Sequence, residues 1–130
     1  MPESDRGDLA AVLDHKADED GTAVREFAAN PRVADSVIGF HAQQAIEKWL
    51  KAVIAASGAT FDRTHDLDLL IEKAREAGHE LPVDADDVIA LTQYAVPFRY
   101  DDLLNSVPLD REGVVSLLDG IGVWARARLA

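Results

Sequence analysis

From Phe40 to Ile54 the chain runs without a helix breaker, and good helix formers (Ala, Leu, Gln, Glu and Lys) dominate the stretch. Advancing about 100° per residue, Ile38, Ala42, Ala45, Ile46, Trp49, Leu50 and Val53 fall on one broad face. His41, Gln44, Lys48 and Lys51 fall on the opposite side. Gln43 lies inside the apolar face or at its edge, with Glu47 beside it at the boundary. The pattern predicts a spine helix with a core face and a separate polar stripe.

The flanking segments repeat the helical period. Met1 to Asp8 is polar and expected to fray. Leu9, Val12, Leu13, Ala17, Val24, Phe27 and Ala28 predict helix over 9–29, either one long helix with a weak point near Asp20-Gly21 or two shorter pieces. Asn30-Pro31 ends it, and predicts a second helix from about Pro31 to Ser57 with Asn30 as cap. Gly58 is a stop. Thr64 reads as the cap of a third helix carrying Leu67, Leu70, Ile71 and Ala74, closed by Gly78. Asp84, Asp86 and Asp87 open a fourth helix through Val88, Ile89, Leu91, Ala95 and Val96, limited by Pro97. Phe98 to Pro108 reads as irregular. Asp110 caps a last helix with Val114, Val115, Leu117, Leu118, Ile121 and Trp124 on its apolar stripe and Arg126 and Arg128 in its last turn. Gly113, Gly120 and Gly122 weaken that helix unless close packing accounts for them. No stretch alternates with period two and no repeat is evident. The expected fold is an all-α, up-and-down bundle of about five helices in a single domain, built on two long N-terminal helices.

Composition narrows the chemistry. The 130 residues include no cysteine, which removes disulfides and thiolate metal sites and fits a reducing cytosol. No segment is apolar enough to span a bilayer. The formal net charge of -11 removes general attraction to nucleic acid, so DNA is not an expected partner and any RNA contact needs a local basic patch. No fixed metal-ligand spacing is present, and no metal or cofactor is expected.

The stretch Phe40-His41-Ala42-Gln43-Gln44-Ala45, then Glu47-Lys48 and Leu50-Lys51-Ala52, resembles the signature helix of the HEPN (higher eukaryotes and prokaryotes nucleotide-binding) family. Thr64-His65-Asp66-Leu67 resembles the Thr-His-Asp-Leu that follows in many bacterial members. Tyr94 and Arg99-Tyr100-Asp101 resemble the family's later Tyr and Arg-Tyr-Pro/Asp segment. The resemblance implies a helical bundle that dimerises, commonly encoded beside a minimal nucleotidyltransferase. Such pairs act as toxin and antitoxin, the HEPN partner being a metal-independent ribonuclease. Its active members carry an Arg followed by four to six residues and a His.

Here the chain departs from the family. Arg99 is followed by Tyr100-Asp101-Asp102-Leu103-Leu104-Asn105-Ser106, with no His. The histidines are His15, His41, His65 and His79, and Arg32 precedes His41 by nine positions. Losing that His removes a general acid/base contribution of about 10²–10⁴-fold. Three readings follow. The first is a homodimeric cytoplasmic module that binds nucleotide, RNA or a nucleotidyltransferase partner through His41, Gln44, Lys48, Lys51, His65 and Arg99. The second is a diverged ribonuclease, with Arg99 on the scissile phosphate and Tyr94, Tyr100 or His65 in the missing role. The third is a structural helical domain with a vestigial site. For individual residues, the polar stripe also reads as a solvated face with snorkelling lysines. Gln43 and Glu47 read as a polar clamp, with Lys51 in reach of Glu47. Thr64-His65-Asp66 reads as a helix start, and Arg99 with Asp101 and Asp102 as a site rim facing Tyr94 or a loop-anchoring ion pair.

Overall fold

The computed structural model describes residues 3–61, 63–95 and 108–130. Val96, Pro97, Arg99, Tyr100, Asp101 and Asp102, on which several expectations rest, lie outside the described residues. The chain forms an all-α bundle: α1 (Glu3–Ala28), α2 (Asp35–Ala56), α3 (Leu67–Glu76), α4 (Ala85–Ile89), a 3-10 segment (Ala90–Tyr94) and α5 (Arg111–Leu129). Among the described residues there is no strand.

The spine helix is the centre of the bundle. α2 touches α1, α3, the 3-10 segment and α5. Contacts pair Asp14 with Trp49 and Asp20 with His41 and Lys48, and Arg25 with Asp119 and Asp18 with Arg126. The second set runs α1 antiparallel to α5, and short 28–35 connection returns α2 against α1. All seven positions assigned to the apolar face are buried, and so are Gln43 and Glu47. Each large apolar side chain removed from water here contributes roughly 1.5–3 kcal/mol. Nothing from Ile38 to Ala55 is fully exposed. The polar stripe is therefore not an open solvent face.

Trp49 explains two glycines. Its indole N–H donates to Asp14 Oδ1 at 3.0 Å, and its ring lies between α1 and α5. A Cβ at Gly122 would stand 3.0 Å from that ring, and one at Gly21 3.5 Å. Gly122 thus permits α5 to approach closely. α1 continues unbroken through Gly21, where a weak point was expected, because packing against Trp49 offsets the propensity cost of about 1 kcal/mol.

Several boundaries differ from the sequence expectations. α1 starts at Glu3, ahead of Leu9 and across part of the segment expected to fray. α2 starts at Asp35, not Pro31. Asn30 spends its side-chain oxygen on the N–H of Arg32, two residues on, which closes a turn instead of capping a helix. Asp66, not Thr64, caps α3: it accepts from the Asp68 N–H, while Thr64 Oγ1 accepts from the Asp66 N–H. The fourth helix tightens to 3-10 geometry after Ile89. Asp84 caps α4, and Asp110 caps α5 by accepting from the Gly113 N–H at 3.0 Å, as expected. Gly58 and Gly78, with φ of 81° and 92°, end α2 and α3 in the left-handed region.

One clamp closes the bundle across its ends. Arg111 donates to Asp35, to the Asn30 carbonyl and to the Val33 carbonyl, and the Leu109 N–H donates to Asp35 Oδ2 at 2.9 Å. It fixes the start of α5 to the turn between α1 and α2.

Candidate functional site

The sequence placed four polar residues along one line of α2. The fold gives three of them, His41, Lys48 and Lys51, to two carboxylates and Gln44 to the amide oxygen of Gln43. On the α1 side, Asp20 takes both His41 and Lys48: Oδ1 lies 2.9 Å from His41 Nδ1, and Oδ2 accepts from Lys48 Nζ at 2.5 Å. His41 and Lys48 are seven positions apart, two helical turns, so one carboxylate between them reaches both. Phe27 and Phe40 pack on the His41 ring, with centroids 5.8 and 5.5 Å away. Burial of Asp20 (14% side-chain exposure) makes this contact more than a surface ion pair.

On the other edge, Glu47 is the hub. Its Oε1 accepts from Gln43 Nε2 at 3.1 Å and lies 2.7 Å from His65 Nδ1, and its Oε2 accepts from Lys51 Nζ at 3.2 Å. Gln43 also donates to the His65 carbonyl at 3.0 Å and accepts from Gln44 Nε2 at 2.8 Å. The connection before α3 is thereby pinned to α2 through a buried amide and a buried carboxylate. The expected clamp of Gln43 and Glu47 is present, and so is the Glu47–Lys51 pair. Lys51 also stands 5.5 Å from the centre of the Phe61 ring.

The two ends differ in access. Glu47 is 5% exposed and His65 is 69% exposed. With Nδ1 against the buried Glu47 carboxylate, the His65 side chain stays mostly exposed. The charges close locally: Lys48 faces Asp20 and Lys51 faces Glu47. The strip is a neutralised polar surface with oriented donors, not a basic patch.

His41, Gln44, Lys48, Lys51 and His65 are thus brought together around α2. Tyr94 packs its ring over Gly39, where a Cβ would stand 2.5 Å from it. Gly39 lies one turn before Gln43, so Tyr94 belongs to the His65 edge of α2 and not to the His41–Lys48 edge. Beneath Tyr94 a cavity of about 320 Å3 is bounded by Leu91, Leu109, Val114 and Leu117. Arg99 and Tyr100 lie outside the described residues. The remaining histidines serve elsewhere: His79 meets Ser57 Oγ at 2.9 Å, and His15 faces Glu19 across one exposed turn at 3.5 Å.

Sequence reasoning missed Asp20, seen only as part of a weak point. Its partners lie 21 and 28 positions away, and only the register of the α1–α2 hairpin reveals the contact. It also missed Phe61, on the connection after α2, whose ring centre stands 5.5 Å from the Lys51 ammonium. Among the described residues no group of His, Asp and Glu is arranged to hold a metal ion, and no helix is long and apolar enough to cross a membrane.

No curated protein and no solved structure matches the chain. A model of the HEPN domain matches residues 14–119, which include α2, α3 and the start of α5. The chain belongs to the HEPN family, a domain associated with nucleotide- and RNA-related function.

Proposed function

We propose that this HEPN protein is a homodimeric binding module for a nucleotide, an RNA segment or a nucleotidyltransferase partner in a toxin–antitoxin-like system, without efficient RNA cleavage of its own. The observation that carries the reading is the assembly of His41, Gln44, Lys48, Lys51 and His65 around one helix, each side chain held by a named partner. Preorganised donors lower the ordering cost of binding. The missing His after Arg99 supports binding over cleavage. Because Asp20 and Glu47 already neutralise the lysines, an anionic ligand must compete with them. Affinity would then come from oriented hydrogen bonds more than from net charge.

The test is nucleotide and RNA binding by the purified protein, with Lys48→Ala and Lys51→Ala as probes. Unchanged binding in both variants would refute the strip as the ligand site. Light scattering reports the dimer, and a monomer would count against it.

A diverged ribonuclease is the second reading, favoured by the exposed His65 ring set against buried Glu47. In that case His65 takes the proton of an attacking hydroxyl. Cleavage lost on His65→Gln and on Arg99→Ala would establish it and overturn the non-catalytic reading.

A further inference from the structure

If the chain takes an anion, the lysines of the strip are poorly placed to supply the charge, since each already faces a carboxylate. Among the described side chains, the guanidinium groups of Arg6, Arg32, Arg63 and Arg128 carry no ion pair. Arg32 and Arg63 are exposed on connections, Arg128 is exposed over the Trp124 ring, and none of the three borders the clefts lined by Tyr94 or Phe61. Arg6 is different. It is half-buried on α1 and borders a cleft of about 220 Å3 formed with Leu9, Ala55, Ala59, Thr60 and Phe61. Its Nη1 lies 2.8 Å from where a Cβ of Gly58 would stand. With φ of 81°, Gly58 is a position that disfavours a side chain on backbone grounds as well. The guanidinium therefore lies against the C-terminal end of α2, whose last turn has no basic residue.

The walls and the charge define the ligand. Leu9, Ala55, Ala59 and the Phe61 ring give an apolar lining, and Thr60 joins Arg6 as a polar residue on its border. About 150 Å3 is enough for one benzene-sized ring. Pockets that enclose whole drug-sized ligands run to about 300–1,000 Å3. A cleft of about 220 Å3 thus accepts a flat ring and leaves an attached charged group outside. A guanidinium fork matches phosphate oxygens in paired hydrogen bonds. Phe61 also takes the Lys51 ammonium 5.5 Å from its ring centre, so the cleft adjoins the Glu47–Lys51 end of the strip.

We propose that the Arg6–Phe61 cleft is a mononucleotide subsite, the base lying against Phe61 and the phosphate on Arg6. This deepens the binding reading and rests on it. Arg6 is then the anion-contacting residue, and the strip contributes hydrogen bonds at the edge of the cleft.

Calorimetric titration of the full chain with adenosine 5′-monophosphate and with adenosine tests the assignment. Arg6→Gln is expected to weaken monophosphate binding about tenfold or more, the loss appropriate to a charge-assisted contact, and to leave adenosine unchanged. Arg6→Lys, which keeps the charge and loses the fork, is expected to fall between. Phe61→Ala is expected to weaken both ligands, with circular dichroism confirming the fold. Monophosphate binding that survives Arg6→Gln but disappears in Lys48→Ala would overturn the subsite and leave the binding reading standing. No monophosphate binding at any concentration reached would overturn the subsite together with the nucleotide form of that reading.

Discussion

Glu47→Ala isolates the buried hub of the site. The substitution removes the acceptor shared by Gln43, Lys51 and His65. Gln43 is fully buried and keeps its bond to the His65 carbonyl, so its amide loses one of two acceptors. Lys51 is 14% exposed and loses its carboxylate. Removing one member of a buried pair costs about 3–5 kcal/mol, because the other charge is left unpaired. Two features reduce that figure here. Lys51 can turn its ammonium towards water along a short path, and His65 is already mostly solvated. The expected destabilisation is about 3 kcal/mol, toward the lower end of that range. Glu47→Gln keeps an acceptor and the volume and loses the charge, so about half that cost is expected. Urea unfolding followed by circular dichroism measures both. At an m-value of about 1–3 kcal/mol/M, the Ala variant should lower the midpoint by roughly 1–3 M. A double-mutant cycle with Lys51→Ala should show a coupling of at least about 0.5 kcal/mol. A Glu47→Ala cost below about 1 kcal/mol, or no coupling to Lys51, would refute the hub as a stabilising network.

Asp20→Asn frees Lys48 and His41 from their carboxylate, and should tighten binding of an anionic nucleotide about three- to tenfold, read by calorimetry against wild type. Gly39→Ala places a Cβ against the Tyr94 ring and should cost about 1–3 kcal/mol through overpacking, despite the better helix propensity of Ala; the urea midpoint reports it. The Leu109 N–H and, after it, Arg111 hold the Asp35 carboxyl below its ordinary value, against an opposing push from burial. A lowered folded-state pKa stabilises the fold above the unfolded value and loses that contribution as pH falls through the folded one. Acid unfolding should therefore begin below about pH 4 for this group, and Asp35→Asn should flatten the acid limb of the stability–pH curve there.

The core of the fold was legible because it follows a single period. Ile38, Ala42, Ala45, Ile46, Trp49, Leu50 and Val53 all face the interior, as a 100° step requires. Caps were legible where one acidic residue stood alone, as at Asp110. They were displaced where two side chains competed. At Thr64 and Asp66 both can accept a backbone N–H, and each takes the N–H two residues on, so the later one opens the helix. Asn30-Pro31 has the residues of a helix start, yet local bonding to Arg32 holds a turn, and α2 begins where Asp35 can meet Arg111. That contact spans 76 positions and leaves no local trace in the sequence.

That His41, Gln44, Lys48 and Lys51 share one side of α2 was legible in the same sense, but their electrostatic state was not. A helical wheel shows which side chains share a line; it does not show what the neighbouring helix brings to that line. Taken alone, Lys48 and Lys51 on α2 make a cationic strip. With Asp20 supplied by α1 and Glu47 by α2 itself, the four formal charges cancel. In a chain of net charge -11, that cancellation leaves no long-range attraction to draw RNA in. Any recognition must therefore be short-ranged: oriented donors, an imidazole fixed by a buried carboxylate, and an unneutralised guanidinium beside an apolar cleft. Such a surface discriminates by fit and hydrogen bonding, which suits a single bound nucleotide better than a long polyanion.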